Sequence, residues 1–278
     1  MDIQREEMTS EQLKRCQLEI LNVLDAFCKE HNIRYWLCYG TLIGTIRHQG
    51  FIPWDDDIDV YMPRPDYERF CQLFPSNEGR YRVKNLNLDK SFYPLPFAKV
   101  IDTETVLIEK LSDSVEGMGV NVDIFQLDGL GNDKAAAEKR IMKGRTYMRW
   151  LYLCGMKPKA GNTPFIWARN AMVWLMHVLK CKMIPFRAME RLGKKNSYED
   201  SKYVGMLVGT YGKGEVLERA WFDETVMKPF EDGEYPVPAG YDAVLRHIYG
   251  DYMKLPPEEK RVTHHSFRAY FREENPQV

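Results

Sequence analysis

The chain has 278 residues, 44% of them hydrophobic and 28% charged, with 39 Lys or Arg against 40 Asp or Glu and a net charge of −1. That composition specifies a globular chain with enough apolar residues for one sizeable core, free of repeats and low-complexity tracts. With no overall basic field to release counterions, it excludes non-specific nucleic-acid binding as the main activity.

Six cysteines, at positions 16, 28, 38, 71, 154 and 181, form no CxxC pair and no metal-ligand spacing. They read as small core residues of a chain in a reducing compartment. The start MDIQREEMTSEQ is acidic and polar, without the apolar stretch of a secretory signal, so a cytoplasmic location is expected.

Thr9-Ser10-Glu11-Gln12 is a capping box, and the helix it opens runs to about His31 with Leu13, Cys16, Ile20, Leu24 and Phe27 on one face. Arg34 to Tyr39 reads as a short strand ending at Gly40-Thr41. A helix follows from Thr41 to about His48, whose N-terminal amides and positive dipole end suit a phosphate. Gly40 permits close approach, and Thr41 offers a cap and a hydroxyl.

Four aspartates then fall within five residues: Asp55, Asp56, Asp57 and Asp59. If Asp57 to Met62 is a strand, Asp57 and Asp59 share one face while Ile58 and Val60 point into a core. Same-face carboxylates ~7 Å apart repel each other, so they call for a positive partner. Hard oxygen ligands without nearby Cys or His favour Mg²⁺ or Mn²⁺ over zinc. The simpler reading is an acidic surface turn led by Pro53. A calcium loop is set aside, because Val60 stands where that loop needs Gly and Asp66 where it needs a bidentate Glu.

A helix is predicted from Arg64 to about Leu73, with Arg64 assigned to pairing with a nearby aspartate. Strands follow at Arg80 to Asn87, Phe97 to Ile101, Val106 to Ile108 and Gly119 to Phe125. Lys99 and Asp123 each interrupt an apolar run. Burying either charge is costly unless Lys99 meets an anion and Asp123 is paired, hydrogen-bonded or metal-bound.

Residues 133 to 197 read as helical, broken at Gly155 and between Pro158 and Pro164. Within them, 12 of the 15 residues from Phe165 to Leu179 are apolar, too short a run to span a membrane. Packing onto the rest of the protein is the first explanation for this segment. The second is peripheral contact of 165–182 with the inner face of the membrane, since basic residues oppose Trp167 and Trp174. Short strands at Val204 to Val208, Val226 to Phe230 and Tyr235 to Pro238 precede a helix from Tyr241 to Tyr249.

The stretch GTLIGTIRHQGFIPWDDDIDVYMPRPDYERF resembles the signature of the LicD family, phosphocholine transferases of bacterial surface glycans related to the fukutin-type polyol-phosphate transferases. The family is similar to the nucleotidyltransferase superfamily, whose Gly-Thr, Asp-h-Asp-h (h, apolar) and later carboxylate fall here on Gly40-Thr41, Asp57-Ile58-Asp59-Val60 and Asp123. The Lys99-Val100-Ile101-Asp102 segment and the ending YGDYMKLPPEEKRVTHH also resemble the family. Gln126 stands where it has Pro, and Asp128, which matches its final aspartate there, reads as structural. The resemblance implies an α+β, nucleotidyltransferase-like mixed β-sheet core flanked by helices. Three portions are expected: a catalytic core at 1–132, a helical insertion at 133–197, and a small C-terminal α/β portion at 198–278 that completes the domain.

The resemblance also implies a reaction: a CDP-alcohol, CDP-choline first among them, gives its phospho-alcohol to a sugar hydroxyl of a surface glycan or glycolipid (lipopolysaccharide, teichoic acid or capsule) and releases CMP. Such transfer needs positioned charge along an in-line path, and two Mg²⁺ ions about 4 Å apart with about three carboxylates can provide it. Asp57, Asp59 and Asp123 supply that number as metal ligands and catalytic residues, with Asp123 as acceptor of the hydroxyl's proton. Arg47, Lys99 and the Gly40-Thr41 amides would neutralise the diphosphate, and Arg261 and His264 would contact substrate phosphates. Trp36, Tyr39, Phe92, Tyr93 and Trp221 are candidates for a cage around a quaternary ammonium. The alternatives are a metal-dependent glycosyltransferase using Asp57-Ile58-Asp59 as its Asp-x-Asp motif, and a nucleotide-binding relative without turnover.

Overall fold

The computed structural model describes residues 6–89, 95–109, 118–155, 159–178, 182–263 and 267–272. Helix α1 (Ser10–Glu30) starts at the predicted capping box: the Gln12 N–H donates to Thr9 Oγ1 (3.2 Å) and the Thr9 N–H donates to Gln12 Oε1 (2.8 Å). Losing such a cap costs about 1 kcal/mol. Leu13, Cys16, Ile20, Leu21, Leu24 and Cys28 are buried along one face, each enclosed Leu or Ile contributing about 1.5–3 kcal/mol. Phe27 is half-buried at its edge, packed edge-on against Phe70 and Phe74.

Strand β1 is only Trp36–Leu37, shorter than predicted. Its extended run stops because Tyr39 takes a left-handed backbone, φ +46°, and opens helix α2 (Tyr39–His48). Strand β2 is Asp59–Pro63, so Asp57 precedes the strand and does not share a strand face with Asp59 as expected. The backbone before Asp59 is committed elsewhere: the Asp55 N–H donates to Ile52 O (2.9 Å), and Gln17 Nε2 of α1 donates to Asp56 O (2.8 Å).

The chain continues through α3 (Arg64–Leu73), β3 (Tyr81–Lys84), β4 (Ala98–Asp102), β5 (Thr105–Glu109) and the eleven-residue β6 (Asn121–Gly131). Three helices follow, α4 (Lys134–Gly155), α5 (Pro164–Val178) and α6 (Met183–Gly193), then β7 (Tyr203–Gly205), β8 (Leu217–Glu218), β9 (Thr225–Phe230), β10 (Gly233–Pro238), α7 (Tyr241–Tyr249) and β11 (Phe267–Phe271). The main sheet has the order β1-β2-β6-β4-β3, with β7 continuing from β6 and β8 pairing with β7. Only β2 and β6 are parallel; the other neighbours are antiparallel, which makes the sheet mixed and the class α+β as expected. Strand β5 leaves this sheet and pairs with β11, while β9 and β10 form an antiparallel hairpin.

The first explanation for the apolar run 165–179 holds for one edge of α5 only. Val173 is buried, whereas Phe165 (79% exposed), Trp167 (66%) and Trp174 (64%) face outward. The helix is tied to the loop before it by hydrogen bonds. Asn170 Nδ2 donates to Lys159 O (2.8 Å), the Lys159 N–H donates to Asn170 Oδ1 (2.9 Å), and Arg169 Nη1 donates to the same oxygen (3.1 Å). Among the described residues, no helix is long and apolar enough to cross a membrane.

Candidate active site

The middle of the sheet brings together residues far apart in sequence. Asp59 on β2 lies opposite Asp123 on the parallel neighbour β6, and Lys99 on β4 lies opposite Asp123 on its other side. Adjacent strands run ~4.8 Å apart, so the three side chains form one row across the sheet. Lys99 Nζ donates to Asp123 Oδ1 (2.5 Å) and to Asn121 Oδ1 (3.0 Å). That is the anion its burial, with 7% of the residue exposed, demands.

The turn entering α2 fixes Asp59. The Thr41 hydroxyl accepts the Asp59 N–H (2.9 Å) and the Cys38 N–H donates to Asp59 O (3.0 Å), which pins the strand start to the helix start. Thr41 is therefore buried behind the site as a brace. Gly40 stands at the cavity wall, where an added Cβ would lie 2.5 Å from Asp55 Oδ2. The positive end of α2 thus already faces a carboxylate, a favourable pairing with the helix dipole.

Asp55, Asp57, Asp59, Asp123, Lys99 and Gly40 all open onto one cavity of about 740 Å³. Burial pushes the Asp59 carboxyl well above its ordinary range, the charges of Asp57, Asp123 and Asp55 push it further, and Lys99 opposes them. A cluster in which carboxylates raise one another's proton affinity is also one that attracts a cation.

A family model described as LicD/FKTN/FKRP, nucleotidyltransferase domain, matches residues 32–127, a span that contains every side chain of the row. The chain is 33% identical over 264 residues to the lipopolysaccharide cholinephosphotransferase LicD of Haemophilus influenzae, an alignment covering 93% of this chain and 97% of that protein. The chain belongs to the LicD family. By that membership it is a phosphotransferase enzyme. An uncharacterized protein of Rickettsia typhi is similar over a shorter stretch, 44% identical over 57 residues that cover 20% of this chain and 18% of that one.

In this LicD-family chain the remaining predicted site residues divide. Arg47 lines an adjoining cavity of about 570 Å³, where Nη1 donates to Tyr252 O (2.6 Å) and Nε to His48 Nε2 (2.9 Å). Arg261 Nε donates to Pro256 O (2.9 Å), and its guanidinium rests over Trp54 at 5.7 Å. Neither is among the residues lining the acidic cavity. His264 lies outside the described residues, as do Phe92 and Tyr93 of the expected cage. Trp36 is buried in the core and Trp221 packs against His247, which leaves Tyr39 at the cavity.

Other aromatic residues there were not among the expected cage, Phe125, Tyr152, Tyr211 and Tyr249 among them. The Tyr39 ring stacks on Tyr211 (centroids 5.8 Å) and meets Phe125 edge-on (5.5 Å), while Tyr211 meets Tyr249 edge-on at 5.0 Å. Behind them the buried Glu215 accepts hydrogen bonds from the Tyr39 O–H (2.8 Å) and the Tyr211 N–H (3.2 Å). Burial raises its carboxyl to about 7, with those two hydrogen bonds opposing. Among the described residues Glu215 forms no ion pair. Phe125 closes the predicted strand Gly119 to Phe125 and Tyr249 opens YGDYMKLPPEEKRVTHH, but neither was singled out for the site.

The residues present fit a divalent cation. The donors are all hard carboxylate oxygens, but among the described residues the group with one oxygen each within 4.8 Å is Asp55, Asp56 and Asp57, whereas the expected set Asp57, Asp59 and Asp123 shares the cavity wall without being drawn that close. The Asp56 carboxylate also accepts the Thr263 hydroxyl (2.6 Å).

Proposed function

We propose that this enzyme transfers phosphocholine from CDP-choline to a hydroxyl of a cell-surface glycan of the lipopolysaccharide type and releases CMP. The observation that carries the proposal is the row Asp59-Asp123-Lys99 at a cavity that Asp55 and Asp57 also line. The acceptor oxygen forms a bond to the choline-bearing phosphorus, the bond from that phosphorus to the bridging oxygen breaks, and CMP departs with the bridging oxygen. Asp123 accepts the hydroxyl's proton. Lys99, held between Asp123 and Asn121, fixes that carboxylate and sets a positive charge beside the diphosphate.

Mg²⁺ or Mn²⁺ held by Asp57, Asp59 and Asp123, with Asp55 beside them, supplies charge neutralisation at the diphosphate. The chain's own task is placement: the Thr41 brace and the β2–β6 ladder fix the carboxylates before substrate arrives.

Choline in particular is supported by the name of the Haemophilus influenzae relative and by the wall of Tyr39, Tyr211, Tyr249 and Phe125. Aromatic faces attract a quaternary ammonium, and the Glu215 carboxyl behind them adds negative charge as it ionises. The test is CMP release from a panel of CDP-alcohols with Mg²⁺. CDP-choline is expected to be turned over, and Asp57→Asn and Asp59→Asn to lose that turnover with the fold intact. Normal CMP release by both variants overturns the proposal.

A further inference from the structure

Helix α5 is built inside out. Its protein-facing positions are Ile166, Arg169, Asn170, Val173 and Met176, the polar pair among them, while Trp167, Ala171, Trp174 and Val178 repeat along the exposed side at helical spacing. Phe165, Met172 and Leu175 widen that side, and Ile184 on the next helix is also exposed. Monomeric soluble proteins rarely leave so continuous an apolar strip in water.

The charge of the surrounding segment is equally one-sided. Residues 139–195 contain fourteen Lys or Arg and a single acid, Glu190, although the whole chain carries −1. The rest of the protein is therefore strongly acidic, and the near-neutral total conceals a polar molecule. Lys143, Arg149, Lys159 and Arg187 are exposed among these basic residues.

We propose that this face docks on the surface of an anionic phospholipid bilayer, with α5 lying in the interface plane. Phe165, Trp167 and Trp174 enter the headgroup region, and the basic side chains meet lipid phosphates. An apolar strip beside clustered positive charge matches anionic lipid on both counts. A second copy of the chain matches it poorly, since self-association through α5 would bring two equally basic segments together. The docking also serves the site: α4, against which α5 packs, contributes Met148 and Tyr152 to the acidic cavity. A lipid-linked acceptor would arrive from that side.

The test uses the full chain and needs no turnover. Vesicles of phosphatidylcholine alone are compared with vesicles in which about a third of the lipid is phosphatidylglycerol, at low and at high salt. Co-sedimentation with the anionic vesicles is expected, weakened about tenfold or more by Trp167→Ser with Trp174→Ser and by high salt, with a blue shift of tryptophan emission on binding. CMP release by that double variant in the absence of lipid is expected to be unchanged, which separates failure of this proposal from failure of the proposed reaction. Absence of binding to anionic vesicles overturns the proposal, as does binding that ignores the tryptophan substitutions. A dimer in sedimentation velocity that the same substitutions abolish would assign the strip to a second copy instead.

Discussion

Strand β6 carries two aspartates, five residues apart and so on opposite faces of the sheet, and they have different fates. Asp123 meets Lys99 at the edge of the cavity, with 19% of its side chain exposed. Asp128 is sealed, fully buried against Arg64 Nε (2.6 Å), whose Nη1 also donates to Glu190 (3.0 Å). Both are acid and base pairs between strands or helices distant in sequence. One pair can exchange partners with a ligand and the other has no route to one. Residue type and pairing therefore do not distinguish a site from a strut; access does.

The largest expected effect is on turnover at the open face. Asp123→Asn should lower CMP release by about 10²–10³-fold, with a smaller loss of stability than at the closed face, because Lys99 lines the cavity and keeps Asn121 Oδ1 as an acceptor. At the closed face the outcome should reverse. Asp128→Asn leaves the Arg64 charge buried without its carboxylate and should cost about 3–5 kcal/mol in chemical denaturation. The double replacement Arg64→Met with Asp128→Leu should recover much of that loss, since it removes both buried charges and Glu190 keeps Lys194 as a partner (3.8 Å). If Asp128→Asn spared stability and abolished turnover, the division between the two faces would fail.

Glu215 is a third case, a buried acid held by hydrogen bonds without an ion pair among the described residues. Its folded value of about 7 lies above its ordinary 4.5, so between those limits the folded chain holds a proton that the unfolded chain has released. Stability should fall as pH rises through that window and level off above it, by about 3 kcal/mol for a shift of this size. Denaturation of Glu215→Gln at both ends of the window should show a flatter profile than the parent.

The smallest effect expected is at Gly40. Alanine there suits a helix and should change stability by no more than about 1 kcal/mol. Its Cβ would nonetheless stand 2.5 Å from Asp55 Oδ2 and displace that carboxylate. Turnover should drop about tenfold while the melting temperature holds, and restoring glycine should restore turnover.

Much of this was legible in the sequence. The capping box gave the start of α1, the Arg64-Pro65 step gave α3, and the polar interruptions at Lys99 and Asp123 marked the sheet positions that meet. What was not legible followed from long-range pairing. Asp57 and Asp59 were expected to share one face of a strand, but Gln17 of α1 takes the Asp56 carbonyl and the strand starts later. Arg47 and Arg261 carry the right charge, yet the Tyr252 carbonyl holds Arg47 at the adjoining cavity and the Pro256 carbonyl holds Arg261, which rests over Trp54. The α5 run was apolar enough to suggest burial, and only the burial of Val173 against the exposure of Trp167 and Trp174 shows which side turned inward.

By itself the sequence determined where local elements begin and end, because caps, prolines and side-chain alternation act within a few residues. It also determined that charges at 57, 59, 99 and 123 had to be answered, because a charge in an apolar run is too costly to leave alone. Which charge answers which was decided only in three dimensions. The parallel ladder that sets Asp59 beside Asp123, and the fold that brings Tyr39, Tyr211, Tyr249 and Glu215 to one wall, join segments separated by up to about two hundred residues. Such contacts form through strand register and the packing of a shared core, and no local pattern encodes them.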